Sequence, residues 1–516
     1  KLGYQRLDLF TWAGNTKAVP LYKKCGFFWE KMEAQATHFM NFLPGLLNNS
    51  YFQEYFRYFD WYEDQVRDLS ICPDGREENG FEYYDYVWVS GDKKLAVSFE
   101  KSGRGICAID TGEVSIKCVV EEAEPVFGAE YSCQFLLNNR SEEELVIKLE
   151  GLDDGNVKHK TEHQLSLKDT VTLESKFSLD EPQLNAGEWV SQPGVKTLVT
   201  IGTHQFEMKT GLSTRYPLEI SLLNDSTFIM PGREALLYIN VKNHYKQSCH
   251  FTIEFVPEEP VQILSSSPDF TLAGEEKASI PIRFVCSRGC IYYPMLRITA
   301  TREDGQSTTY EKRYSARLST LEGRDQKIMP QRYELINGRY VLMVMENWGR
   351  NRVYFMNGAG VTCSMPYPML GKPFSDEFES ESPYDVKVED LGGANQLSLY
   401  YRSKSFPGLQ FALVYRLYPS GMLEYFLRII SFPGDASDIF ARLRMTPPMT
   451  VLSYENQGRI FNLEPDMPDM EIDSLPKEFC TGNYLHFAQD NDRISVIWDP
   501  TLKVELNGWS LAWDID

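Results

Sequence analysis

The chain has 516 residues, enough for three to five separately cored domains. Its 73 Asp and Glu against 52 Lys and Arg give a formal charge of −21, which argues against nucleic-acid or anionic-membrane partners. No apolar run is long enough to span a bilayer, and the first residues lack the apolar core of a signal peptide.

The stretch from Leu7 to Trp29, LDLFTWAGNTKAVPLYKKCGFFW, carries the clearest chemistry. Leu7, Leu9 and Trp12 suit a short strand. Asn15 is a helix-capping residue, Ala18, Leu21 and Tyr22 recur at helical spacing, and Gly26 stands where a left-handed helix stop belongs. Pro20 falls in the early helix, where it removes one backbone bond. Phe27, Phe28 and Trp29 then restart a strand.

The spaced positions Asn15, Ala18, Leu21, Tyr22, Gly26 and Phe27 form the pattern N-x-x-A-x-x-L-Y-x-x-x-G-F. In this they resemble the C-terminal end of the GNAT family of N-acetyltransferases. The resemblance implies that Asn15 contacts the arm of acetyl-CoA and that Tyr22 is the general acid. A phenol is protonated near neutral pH and can give its proton to a leaving thiolate. The family's pyrophosphate loop, Q/R-x-x-G-x-G/A at a helix N-terminus, would precede Lys1. Residues 1–30 are therefore expected to be the C-terminal part of a GNAT domain. This fragment is expected to be inactive alone, with acetyl-CoA the cofactor of its parent.

From Glu30 to Cys72 aromatic residues recur at helical spacing, broken at Pro44-Gly45 and Asn48-Asn49. Two readings compete. The favoured one is a pair of helices packing the opening segment onto the next domain. The other is a ligand platform, with Trp61 and Tyr62 stacking on a sugar. Residues 31–93 are expected to form this helical connector and the first strands.

Beyond Gly80 the pattern becomes strand alternation with Gly and Asp turns. Residues 94–212 and 213–320 each read as an Ig-like β-sandwich. The second resembles bacterial Ig-like modules of carbohydrate-active enzymes in its Pro231-Gly232 turn and following strand. His244 and His250 fall on neighbouring strands, where satisfied histidines are commoner than ligands.

Residues 333–516 open with a strand, an Asn337-Gly338 turn and a second strand. With the segment PMLGKPFSDEF, they resemble the galactose-mutarotase-like supersandwich. The whole is thus expected to be mainly β and multidomain: a short α/β GNAT remnant and helical segment, two Ig-like β-sandwiches, and a C-terminal β-supersandwich.

Aldose epimerases of the last fold need a histidine acid and a carboxylate base, and His486 with Glu377 or Glu424 is the pairing available. A non-catalytic sandwich is favoured over it. Sugar binding without catalysis would draw on Trp348, Arg350, Glu377 and His486, which mix an aromatic face with polar groups. Three functions follow: an acetyltransferase fragment whose β domains bind carbohydrate, a non-catalytic carbohydrate-binding scaffold, and an epimerase-like or glycoside hydrolase accessory module. Of the ten cysteines only Cys286 and Cys290 lie close, and no second pair has metal-ligand spacing. No metal is expected, and most of the cysteines read as buried free thiols suited to a reducing cytoplasm.

Overall fold

The computed structural model describes residues 4–12, 15–29, 37–66, 76–182, 191–224, 228–330, 332–347, 350–357, 360–365, 368–370, 377–432, 441–445, 452–456, 459–463, 484–489, 492–499, 503–507 and 510–515. Within them lie 42 strands and four short helices, so the protein is mainly β and multidomain. Among the described residues no helix is long and apolar enough to cross a membrane.

The chain opens with β1 (Leu7–Trp12), α1 (Ala18–Lys24), β2 (Phe28–Trp29) and β3 (Thr37–Phe42). The three strands form one antiparallel sheet in the order β1-β3-β2. α1 stops where Gly26 turns left-handed at φ 98°. A Cβ there would meet the Phe42 ring at 3.0 Å, so both conformation and packing call for glycine. Residues 37–42 depart from the expected helix. They lie between β1 and β2, whose backbone groups pair with both of their edges, and that pairing outweighs the helical spacing of the aromatics. Two short helices do follow, α2 (Pro44–Leu47) and α3 (Ser50–Tyr55), the second capped by the Asn49 side chain accepting from Tyr51 N at 3.0 Å.

A large sheet comes next. Strands Arg76–Glu78, Phe81–Ser90, Lys93–Glu100, Gly105–Asp110, Val114–Val120 and Glu130–Asn139 pair in sequence order, and Thr170–Leu179 and Val157–Lys158 extend the far edge. A second sheet, Glu162–Leu167, Leu145–Leu152, Gly194–Ile201 and His204–Gly211, shares a single core with it through Trp88, Phe99, Phe135, Val199 and Phe206. Every other residue of Val114–Val120 is buried, the period of two that a strand with one face in a core must show.

The two sheets approach closely at Gly103 and Gly211. A Cβ on Gly211 would stand 2.3 Å from Gly103 N. The buried Glu100 carboxylate closes the seam, accepting from Ser102 N (2.8 Å), Gly103 N (2.7 Å) and Gly211 N (2.7 Å). Burial raises the Glu100 pKa above the ordinary carboxylate range, although these three donors pull it down.

The next unit packs two four-stranded sheets around one core. One is Leu218–Asn224, Glu234–Asn243, Lys277–Cys286 and Val261–Ile263; the other is Asp269–Leu272, Cys249–Phe255, Met295–Arg302 and Ser307–Arg313. A device from the preceding unit recurs here. Asn139 donates to the carbonyls of Glu143 and Leu167, and Asn243 donates to those of Gln247, Leu272 and Ala273. Each amide fastens a strand end to the loop beyond it.

Among the described residues five further sheets complete the fold, one of them the two-stranded pair Cys290–Tyr292 and Ala316–Leu318. A five-stranded one is formed by Arg324–Met329, Arg332–Asn337, Tyr340–Asn347, Arg350–Asn357 and Gly360–Met365, and four strands from Asp385–Asp390 to Leu423–Ser431 share its core. The buried Glu334 joins this region to the preceding unit by pairing with Arg317 and with Arg332 (2.6 Å). Removing the arginines would leave the buried Glu334 carboxylate uncompensated.

Gly211→Ala should destabilise the protein by about 1–3 kcal/mol, the usual cost of forcing atoms into a filled contact. Gly393→Ala should change stability by less than about 0.5 kcal/mol, since nothing lies within 4 Å of its Cβ position. Differential scanning calorimetry of both variants checks this, and equal midpoints would contradict the seam.

Candidate functional site

At the N-terminal element, Asn15 opens α1. Its Oδ1 accepts from Ala18 N at 3.1 Å, its carbonyl accepts from Val19 N at 3.0 Å, and its Nδ2 donates to Thr11 Oγ1 at 3.3 Å. Regular helix begins only at Ala18, after a turn through Thr16 and Lys17. Tyr22 is half-buried, its ring 6.1 Å from that of Phe27, and among the described residues its hydroxyl makes no hydrogen bond.

Trp61 and Tyr62 hold this element in place. The Trp61 indole Nε1 donates to Gly26 O at 2.9 Å, and its ring packs on Phe28, Phe56 and Trp88 at centroid distances of 5.6, 5.3 and 5.3 Å. The Tyr62 hydroxyl donates to Lys23 O at 2.5 Å, with Phe27 O 3.1 Å away. Of the two readings of these aromatics, the packing one is what the geometry shows. Behind them Arg6 lies over the Tyr84 ring and donates to Asp8 (2.8 Å). Asp8 also accepts from Asn41 (2.9 Å), and Asn41 accepts from the Tyr86 hydroxyl (3.0 Å).

In the last region Trp348 lies outside the described residues, as do the side chains of Arg350 and His486. The backbone puts Arg350 at the start of Arg350–Asn357, in the five-stranded sheet. His486 is opposite Ser495 in another sheet, formed by strands between residues 452 and 497. Glu377 opens a four-residue helix, and its carboxylate accepts from Ser403 Oγ (2.9 Å), Lys404 N and Ser405 N (3.2 Å). Glu424 accepts from Arg416 (3.4 Å) and from the Tyr418 hydroxyl (3.0 Å). Both carboxylates are engaged by neighbouring protein groups.

A site that the sequence reading did not single out lies where the first sandwich meets the second. A cleft of about 370 Å³ is lined by Thr214, Arg215, Tyr216, His244, Lys312 and Tyr314, among others. Arg215 and Tyr216 belong to the link between His204–Gly211 and Leu218–Asn224. The Lys312 ammonium sits 3.9 Å from the Tyr216 ring centroid and 5.6 Å from that of Tyr314. Desolvation lowers the Lys312 pKa and raises those of Tyr216 and Tyr314. Tyr216 is fixed by its hydroxyl on Glu181 (3.0 Å), and His244 by Tyr216 O (3.0 Å) and Glu219 (3.1 Å). His250 is likewise held, by Asp269 at 2.9 Å and Thr271 at 3.2 Å. Among the described residues no group of His, Cys, Asp and Glu could hold a metal ion.

No family model matches the chain, and no curated protein matches it. Among solved structures, red sea bream transglutaminase aligns at 14% identity over 39% of this chain with a TM-score of 0.20. The chain spans about a third (31%) of that enzyme's length. A protein of unknown function from Porphyromonas gingivalis W83 aligns at 11% identity, over 39% of this chain and 99% of its own, with a TM-score of 0.13. Likenesses this weak carry no argument about activity.

Partial burial pushes the Glu377 pKa up, but the donors from residues 403–405 outweigh it and hold the group below its ordinary range. A carboxylate shifted down stabilises the fold above its unfolded pKa of about 4.3, and that contribution disappears as the pH falls through the lower folded value. The melting-temperature gap between wild type and Glu377→Gln should therefore narrow as pH drops from about 6 to about 3. A constant gap would contradict the carboxylate's role in this loop.

Proposed function

We propose that the chain is part of a GNAT-type N-acetyltransferase whose β domains recognise a sugar-bearing amine acceptor. The observation carrying this reading is the build of α1: the Asn15 side chain opens the helix, left-handed Gly26 closes it, and Tyr22 stands between them with its hydroxyl unengaged among the described residues. What supports acetyl-CoA as the ligand is the Asn15 side chain. One Asn15 amide hydrogen goes to Thr11, which leaves the other for the acetyl-CoA arm. Acetyl-CoA would supply the activated acetyl group. Tyr22 would hold the proton that departs with the thiolate sulfur, and Asn15 would orient the arm.

The acceptor half of the proposal is supported by the cleft at the sandwich junction. Its tyrosines bring apolar rings and Lys312 brings an ammonium group, the kind of mixture that a hydroxylated ring requires. A non-catalytic carbohydrate-binding scaffold is the second reading, and the same cleft favours it. The cysteines described are free and mostly buried, which suits a reducing compartment, so we place the protein in the cytoplasm as part of this proposal.

Release of CoA thiol from acetyl-CoA by the protein expressed from its complete gene, with amino sugars as acceptors, tests both halves. Tyr22→Phe should lower turnover about 10²-fold with acetyl-CoA affinity nearly unchanged. Lys312→Ala should raise the acceptor KM alone. Saccharide binding with no CoA release would favour the scaffold, and neither activity would overturn both readings.

A further inference from the structure

Cys286 ends the strand Lys277–Cys286, and Cys290 begins the strand Cys290–Tyr292. Their sulfurs stand 3.8 Å apart, and both residues are buried. The link between them is clamped. Ile291 N donates to Asp325 at 2.7 Å, the Arg288 guanidinium lies 3.7 Å from Asp325, and Gly289 packs against Thr320 and Gly323. Ser287 and Arg288, between them, are exposed.

From this geometry we infer that Cys286 and Cys290 form a redox modification site, which a small peroxide converts to an intramolecular disulfide. A disulfide needs sulfurs about 2.05 Å apart, a closure of under ~2 Å from the observed separation. As a thiol, Cys286 donates to Arg288 O at 2.8 Å; the Cys290 S–H stabilises a thiolate there, desolvation and the Asp325 charge oppose it, and Arg288 favours it. On balance the Cys286 pKa falls below the usual thiol range while that of Cys290 rises.

The chemistry balances with hydrogen peroxide as oxidant. The Cys286 thiolate attacks one peroxide oxygen; the S–O bond forms, the O–O bond breaks, and hydroxide leaves to be protonated to water. Cys290 then attacks the sulfenic sulfur; the S–S bond forms, the S–O bond breaks, and a second water leaves with the Cys290 proton. Two thiols lose two electrons, and the peroxide gains them. The product ties two strands at the seam to the following sheet, because Cys290–Tyr292 pairs with Ala316–Leu318 and packs on Arg324–Met329.

The test is a hydrogen peroxide pulse on the purified chain, followed by catalase, unfolding, alkylation and unreduced peptic mapping by mass spectrometry. Cys25, which is exposed, reports the oxidant dose. Cys118 and Cys133, buried on adjacent strands of the large sheet, are the internal comparison. The Cys286–Cys290 peptide should lose two hydrogens before Cys118 and Cys133 react. Alkylation of both thiols, oxidation of either to sulfinic acid, or no precedence over Cys118 and Cys133 would overturn the site. In Cys290→Ser the reaction should stop at a Cys286 sulfenic acid that dimedone captures, and absence of that adduct would also overturn it.

Discussion

The indole of Trp61 sets what the N-terminal element can be. α1 has no fully buried residue and is seven residues long, too short to persist in water on its own. Its end is secured from outside, by Trp61 on Gly26 O and Tyr62 on Lys23 O, and the sheet beside it by the chain of Arg6, Asp8, Asn41 and Tyr86. Because Phe28, Trp61 and Trp88 belong to one core, β2 and the large sheet cannot be separated without opening that core. Aromatic residues near position 60 thus convert a marginal strand–helix–strand into part of a large domain.

At the remaining seams, too, a single polar group is bonded by several partners. Glu100 bridges the two sheets of the first sandwich through three N–H groups, and Asn139 and Asn243 close corresponding loops in successive units. Glu334, between two arginines, joins the second sandwich to the sheets that follow. Each group is buried, and each would be costly to leave unpaired. Specific hydrogen bonds therefore fix the order in which the layers stack, while area burial supplies the driving force.

Much of this was legible in the residues. The alternation in EISLLN and ALLYINV predicted strands that are present, and Asn15 and Gly26 marked the ends of α1. Thr37–Phe42 was misread because helical aromatic spacing says nothing about two waiting strand edges. The ties on Glu377 were hidden for a related reason: its partners at 403–405 come from a different loop. The junction cleft escaped notice because Tyr216 and Lys312 are distant in sequence and meet only through tertiary packing.

The acetyl-transfer proposal requires α1 to be a firm shelf for Asn15 and Tyr22, and Trp61 is what makes it firm. Hydrogen exchange of wild type against Trp61→Leu measures this directly. Loss of the indole donor and its ring contacts, about 1.5 kcal/mol or more, should speed exchange across residues 18–29 and 37–42 by at least about tenfold. The strands carrying Phe135 and Val199 should keep their protection. Unchanged protection in α1, or loosening of the whole first sandwich, would contradict the account.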